Sequence, residues 1–348
     1  MRIQRVPRIR MRGIFSGRGS PPPQPKMRGT DMGRCTLATI LIVCICISAS
    51  LCSGEAPGSK GVTIRFGALP VLQALPLYVA QDKGFFARSG VRVELIPFNT
   101  ASEKDIALST GAIDGYFGDL VTPTVLKGNG RDVAIVATNY DTRQDRRMFG
   151  ILSKPGGKYK TVSDLVGVPI AVSSNSVVDY VTQTLLVSSG VPEDKVATVE
   201  AKNIGLRVQM LLSGQVEAAT LPEPLLTAAV AKGAVLLADD SGLPASQTVL
   251  AFAGLFLRNH PNEVKTFLKA VNEAQHLINS QPDAVRSVMV ENVRLPDALR
   301  DSYPVPRFPD LHAPDKDAVL NIAGWLRKRG VIRPELTYEQ IVDASFLP

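Results

Sequence analysis

Cysteine is missing from everything after residue 52. The four that exist, Cys35, Cys44, Cys46 and Cys52, stand in or beside one apolar stretch, so the rest of the chain can build neither a disulfide framework nor a cysteine metal cluster. Histidine is nearly as scarce: His260, His276 and His312 share no metal-ligand spacing and fall outside the loops into which strands lead. G-x-S-x-G, a phosphate-cradling glycine loop and H-E-x-x-H are absent too, so nucleophilic and metal catalysis lack candidates and no cofactor is called for. A basic body is missing as well. The formal net charge of +7 comes from nine basic residues before position 53, opposed there only by Asp31; the remainder holds 30 basic against 31 acidic residues. Nucleic-acid binding therefore has no compositional support.

What the first residues do contain is a basic region followed by the apolar run 37–51 (LATILIVCICISASL) and then small residues, the order of a secretory signal peptide. The run is short for a spanning helix, which needs roughly 20 apolar residues. Residues 1–54 are read as a leader, with a mature start between Leu51 and Pro57. An uncleaved anchor, a start codon at Met27 or Met32, and a lipoprotein acylated on Cys52 are the alternatives; for the last, Leu51 stands where a small residue is expected. The exported location is then the periplasm or the outer face of the cell envelope.

The 348 residues suffice for two lobes of ordinary size. Val62, Ile64 and Phe66 alternate with polar residues and predict a strand ending at Gly67. Pro76 can open a helix, Gly84 can end it in a left-handed turn, and Val91, Val93 and Leu95 form the next strand, so the unit is strand, helix, parallel strand. Thr100 and Glu103 predict a capped helix closed by Gly111, and Ile113 to Phe117 a strand ending near Gly118 and Asp119. Val208 to Gly214 and Val216 to Thr220 repeat that helix, glycine and strand in type and order, which implies a second lobe of like design. Met148 to Leu152 and Thr248 to Leu257 read as the two crossings between lobes. The expected limits are 55–150 plus 250–348 for lobe 1 and 151–249 for lobe 2, with the helices after Asn262 packed around lobe 1.

The run LPLYVAQDKGFFARSGVRVEL resembles the opening of the periplasmic solute-binding proteins of the nitrate/sulfonate/taurine and thiamine-precursor group, and recognisable order extends over about residues 62 to 260. The resemblance implies a type II periplasmic-binding-protein fold: α/β, two lobes with a ligand cleft and two hinge crossings. It further implies a small-molecule ligand, a membrane permease of an ABC importer as partner, and a monomer that is not an enzyme. A ligand-sensing protein of the same fold is the alternative. A thiamine-precursor synthase-like enzyme is the more remote one, because that family pattern carries a histidine and a cysteine cluster, and this chain has no such cluster.

Ligands of open α/β sheets bind beyond the carboxyl ends of the strands. The candidate residues are therefore Leu69, Pro70, Gln73 and Ala74 after the first strand, Gly118 and Asp119 after the third, and Asn139 and Tyr140 after the fourth. In the second lobe they are Ser173, Ser174, Asn175 and Ser176, together with Pro222 and Glu223. Hydroxyl and amide groups beside free N–H groups at a helix start suit an anion, with ordinary capping as the competing reading. Asp119 and Glu223 suit a cation or the amino group of a zwitterion, with a capping or solvated carboxylate as the competing reading. Arg143, Arg146 and Arg147 could complete an anion site but are expected to be a solvated run. The shortage of aromatic residues at these ends favours an anion or zwitterion, such as a sulfonate or carboxylate, over a flat heterocycle.

Overall fold

The computed structural model describes residues 61–348 except Gly242, Pro244 and Ala245. The leader, its apolar run 37–51, Cys52 and the expected cleavage point lie outside the described residues.

Strand β1 (Thr63–Ala68) leads through a short 3-10 turn into α1 (Leu75–Asp82), with Pro76 in its first turn where a missing N–H costs nothing. Gly84, in the left-handed region at φ +70°, separates α1 from the single turn α2 (Phe85–Arg88), and β2 (Arg92–Pro97) runs parallel to β1. Helix α3 (Ala101–Ser109) starts at Thr100, whose Oγ1 accepts from Glu103 N at 3.2 Å, while the Glu103 carboxylate accepts from Asn99 N at 3.1 Å. Next come β3 (Gly115–Asp119), α4 (Val121–Gly128) and β4 (Val133–Asp141).

The following segment holds β5 (Phe149–Ser153), β6 (Ile170–Val172), α5 (Val177–Ser188), β7 (Thr198–Glu200), α6 (Ile204–Leu212), β8 (Ala218–Pro222), α7 (Leu225–Ala231) and β9 (Val235–Asp239). The chain then returns through β10 (Gln247–Ala253) to α8 (Gly254–Asn259), α9 (Pro261–Ser280), α10 (Arg286–Asn292), α11 (Lys316–Lys328) and α12 (Tyr338–Ile341).

Two five-stranded sheets result, in the orders β2-β1-β3-β10-β4 and β7-β6-β8-β5-β9. In each, four strands run the same way and one, β10 in the first and β5 in the second, is antiparallel to both of its neighbours. That antiparallel member is where the expectation from sequence needs correcting. Met148–Leu152 and Thr248–Leu257 do not serve as crossings: β5 is hydrogen-bonded between β8 and β9, β10 between β3 and β4, and Leu255 to Leu257 have already turned helical. An apolar run bonded on both edges is what a buried central strand looks like. The connections are the stretches 142–148 and 240–246, a few residues earlier than the limits expected at 150 and 249.

The first sheet is covered by α1, α2, α9 and α10 on one side and by α4, α11 and α12 on the other. Phe66, Phe86, Phe252 and Phe267 interlock there, Phe86 stacked on Phe267 at 5.2 Å and Phe252 edge-on to it at 5.5 Å. Burial of each such ring is worth about 2–3 kcal/mol, so the late helices are held to the first sheet by its core.

Candidate ligand-binding site

In the first lobe the β1 loop is locked into its surroundings. Leu69 O accepts from Tyr78 OH at 3.0 Å, Pro70 O accepts from Arg294 N at 3.2 Å, and Gln73 O accepts from Asn139 Nδ2 at 2.7 Å. Asn139 is fully buried and its own carbonyl accepts from Gln275 Nε2 at 2.8 Å, so it braces α9 against the loop. Gln73 and Ala74 are buried with it. Tyr140 turns inward too, edge-on to Phe308 at 5.3 Å with Arg146 above its ring; burial pushes its hydroxyl well above the usual phenol range. Asp119, at the end of β3, accepts from Val121 N at 2.8 Å and Thr122 N at 3.0 Å and so caps α4.

The second lobe presents Ser173 to Ser176 directly after β6. Ser176 is the cap of α5, its Oγ accepting from Val178 N at 3.2 Å, and Asn175 holds a left-handed φ of +57°. The N–H groups expected to serve an anion are met by the chain's own carboxylates: Ser174 N donates to Glu200 at 3.1 Å and Asn175 N to Asp179 at 2.9 Å. Pro222 closes β8, and Glu223 behind it is buried, bound by Arg147 Nε at 2.7 Å and Thr227 Oγ1 at 2.8 Å. Arg147 also stands 3.6 Å from Asp239. Tyr303 lies beside Glu223, and burial together with that carboxylate drives its hydroxyl far above the ordinary range. The three arginines are thus no solvated run: only Arg143 is well exposed, while Arg146 is drawn onto Asp141 at 2.7 Å.

Four residues at these ends have no forecast in the sequence reading. Lys104 of α3 is 1 % exposed, its Nζ 3.6 Å above the centre of the Tyr116 ring and 3.6 Å from Asp105. It fits because Gly67 and Gly118 leave a channel across β1 and β3; a Cβ at Gly118 would lie 3.0 Å from Nζ and one at Gly67 3.2 Å from Cγ. Burial lowers its pKa to about 8. Arg207 of α6 is equally buried, donates to Thr220 O at 3.1 Å and has its pKa lowered to about 10 by burial. Lys104 stands seven residues before Gly111 and Arg207 seven before Gly214, so both occupy one step of the internal repeat. Their signal was present: Lys104 falls in register with Ala107 and Leu108, and Arg207 with Leu211, on the buried stripe of each helix.

The other two stand in and just after α11, which packs on α4 and reaches across to α5. Trp325 meets Tyr180 edge-on at 5.2 Å and donates to Gln183 Oε1; Arg329 pairs with Asp179 at 3.1 Å and donates to Asn175 Oδ1 at 3.2 Å. A groove of about 610 Å³ lies along this contact and is lined also by Glu193, Asp194 and Thr198. Its far end is at the start of β7, so apart from Asp179 it belongs to the flank of the molecule and not to the strand ends.

Two α/β lobes linked twice, with parallel strands of both sheets ending in loops, define the type II periplasmic-binding-protein fold. The NMT1/THI5 like family matches residues 72–285, more than half of the sequence, and the chain belongs to that family. Among solved structures it is similar to the periplasmic aliphatic sulphonate binding protein SsuA from Escherichia coli, with 17% identity, a TM-score of 0.69, and 81% of this chain and 92% of that one covered. SsuA from Xanthomonas axonopodis pv. citri, bound to MOPS, matches at 18% identity and TM-score 0.69 over 81% and 98% of the chains. The nitrate-binding protein NrtA from Synechocystis PCC 6803 matches at 18% and 0.55 over 67% and 65%. No curated protein matches the sequence.

Proposed function

We propose that the chain is an exported solute-binding protein that captures a small polar ligand, a sulfonate, carboxylate, nitrate or related compound, and hands it to the permease of an ABC importer. Membership of the NMT1/THI5 like family on a two-sheet scaffold supports this, as do neighbours described as periplasmic sulfonate- and nitrate-binding proteins. The observation that carries it is the double connection: among the described strands the chain passes between the two sheets after β4 and again after β9, and the loops 69–74, 118–122, 139–141, 173–177 and 221–223 stand at their strand ends. We assign these loops to the ligand, Met1 to Gly54 to the leader, and the two lobes to the segments on either side of the connections. Soluble release and anchoring through Cys52 are both compatible with delivery to a permease.

Two short links can flex together while each sheet stays intact, which is the hinge closure of such proteins. Mass spectrometry of what copurifies with the exported chain identifies the ligand, and X-ray scattering with and without it then shows compaction. Superimposable curves at saturation contradict the proposal.

A further inference from the structure

The two connections are not all that joins the lobes. Ala318, Val319, Ile322, Ala323 and Leu326 form the buried stripe of α11, and the helix packs on α4 and α12 of the first lobe. On another side Trp325, Lys328 and, just past the helix end, Arg329 follow at neighbouring positions, and all three are bonded to the second lobe. Trp325 is edge-on to Tyr180 and donates to Gln183 Oε1, while Lys328 Nζ meets the two Glu193 oxygens at 2.7 and 2.6 Å. Arg329 pairs with Asp179 at 3.1 Å and donates to Asn175 Oδ1 at 3.2 Å.

These contacts form one network. Gln183 Nε2 donates to Glu193 at 3.2 Å, which ties the Trp325 contact to that of Lys328, and the Arg329 guanidinium lies 4.9 Å from the centre of the Trp325 ring. The neighbouring charges are engaged elsewhere: Asp194 is held by Lys195 at 3.5 Å and Arg327 by Glu335 at 2.8 Å.

Asn175 stands in the strand-end loop after β6, so a side chain of the first lobe is bonded across to the second at the level of the proposed solute site. A contact near 3 Å is lost over a shift of roughly 1 Å, and hinge closure moves whole lobes. The network therefore belongs to one arrangement, the one with α11 against α5, and stabilises that arrangement alone. A solute enclosed between the lobes favours the same arrangement. Whatever favours one of two states helps everything else that favours it.

Resting on the hinge closure of the solute-binding reading, we propose that α11 is a clasp: Trp325, Lys328 and Arg329 hold the lobes together in the free chain and act as positioning residues for a solute they do not touch. Less of the solute's binding energy is then needed to bring the lobes together.

Trp325 is the only tryptophan in the chain, so its emission reports on the clasp. The experiment is tryptophan fluorescence with X-ray scattering on the full mature chain, stripped of copurifying compounds by unfolding and refolding in urea. Glu193→Lys sets like charge against Lys328 and Arg329; emission should shift to the red, the radius of gyration should grow, and the ratio of parted to clasped lobes should rise about tenfold. Glu193→Lys combined with Lys328→Glu restores the pair with its signs exchanged and should return both signals to those of the parent. Both positions are well exposed, so the fold stays intact, which unchanged circular dichroism verifies. Asp179→Asn with Arg329→Ala opens the other half of the clasp without stranding a buried charge and should expand the chain as well. Scattering of Glu193→Lys and of the Asp179, Arg329 pair identical to that of the parent, with or without a change in emission, overturns the proposal, as does a charge exchange that restores nothing. Adding back the compound that copurifies separates the two readings: compaction of the opened variants supports hinge closure, and no compaction of any chain counts against hinge closure while the solute-free curves still decide on the clasp.

Discussion

Asp240→Asn should make the protein more stable at pH 8 by about 2–3 kcal/mol, with the gain fading to nothing near pH 4. Asp240 is fully buried in the second connection, where its Oδ1 accepts from Met148 N at 2.8 Å and Phe149 N at 3.0 Å at the end of the first. Burial lifts its pKa from 3.8 to about 6, against the pull of those N–H groups. A folded-state pKa above the unfolded value means that the native chain binds the proton more tightly. Its contribution is therefore complete below about pH 4, is lost as pH rises through about 6, and leaves the native state carrying an unfavourable charge above that. Asparagine offers the same acceptor without the charge. Asp240→Ala removes the acceptor altogether, strands two N–H groups, and should cost about 2–4 kcal/mol at either pH. Urea unfolding at pH 4 and pH 8 separates the three chains; an Asn variant with no gain at pH 8 would show that the carboxylate's charge is compensated in the hinge.

Arg329→Ala should destabilise the chain by about 2–3 kcal/mol, because it leaves the buried carboxylate of Asp179 without its cation. The figure is kept below the full range for buried pairs since Arg329 is itself about a third exposed. The loss should largely disappear in an Asp179→Asn background, where no charge remains to be compensated. A double-mutant cycle by chemical denaturation reads this coupling, and additive losses would mean that the two side chains act independently. The contact matters beyond stability: α11 packs on α4 of the first lobe while Arg329 grips Asp179 in the first turn of α5 in the second. Loosening it should free the β6 loop, which carries Ser174.

Much of this architecture is written in local patterns. The strand-helix-strand opening, the Thr100 cap, and the helix over Val177–Ser188 followed from periodicity and turn chemistry, because each depends on residues close in sequence. The repeat of α3 and β3 in α6 and β8 was legible for the same reason. The roles of β5 and β10 were not, since an apolar run says only that it is buried, and antiparallel insertion between distant strands is a tertiary fact. The loops were legible as strand ends, but the partners of their residues were not. Asn139 reads as a ligand donor until its Nδ2 is seen to donate to Gln73 O, while Gln275, on a helix far along the chain, donates to its carbonyl. Ser174 and Asn175 read as an open anion site until Glu200 and Asp179 fill it. Lys104 and Arg207 sat on buried helix stripes, where a long cation usually snorkels outward; the channel that admits Lys104 depends on two glycines of different strands.

The central claim is that one small ligand is held between the lobes by the strand-end loops. Amide hydrogen exchange with and without the copurified ligand tests it most directly, because it reports on every segment at once. The account predicts slowed exchange concentrated in 69–74, 118–122, 139–141, 173–177 and 221–223, together with the links 142–148 and 240–246. Slowed exchange confined to the flank between α5 and α11, with the strand-end loops unchanged, would contradict it.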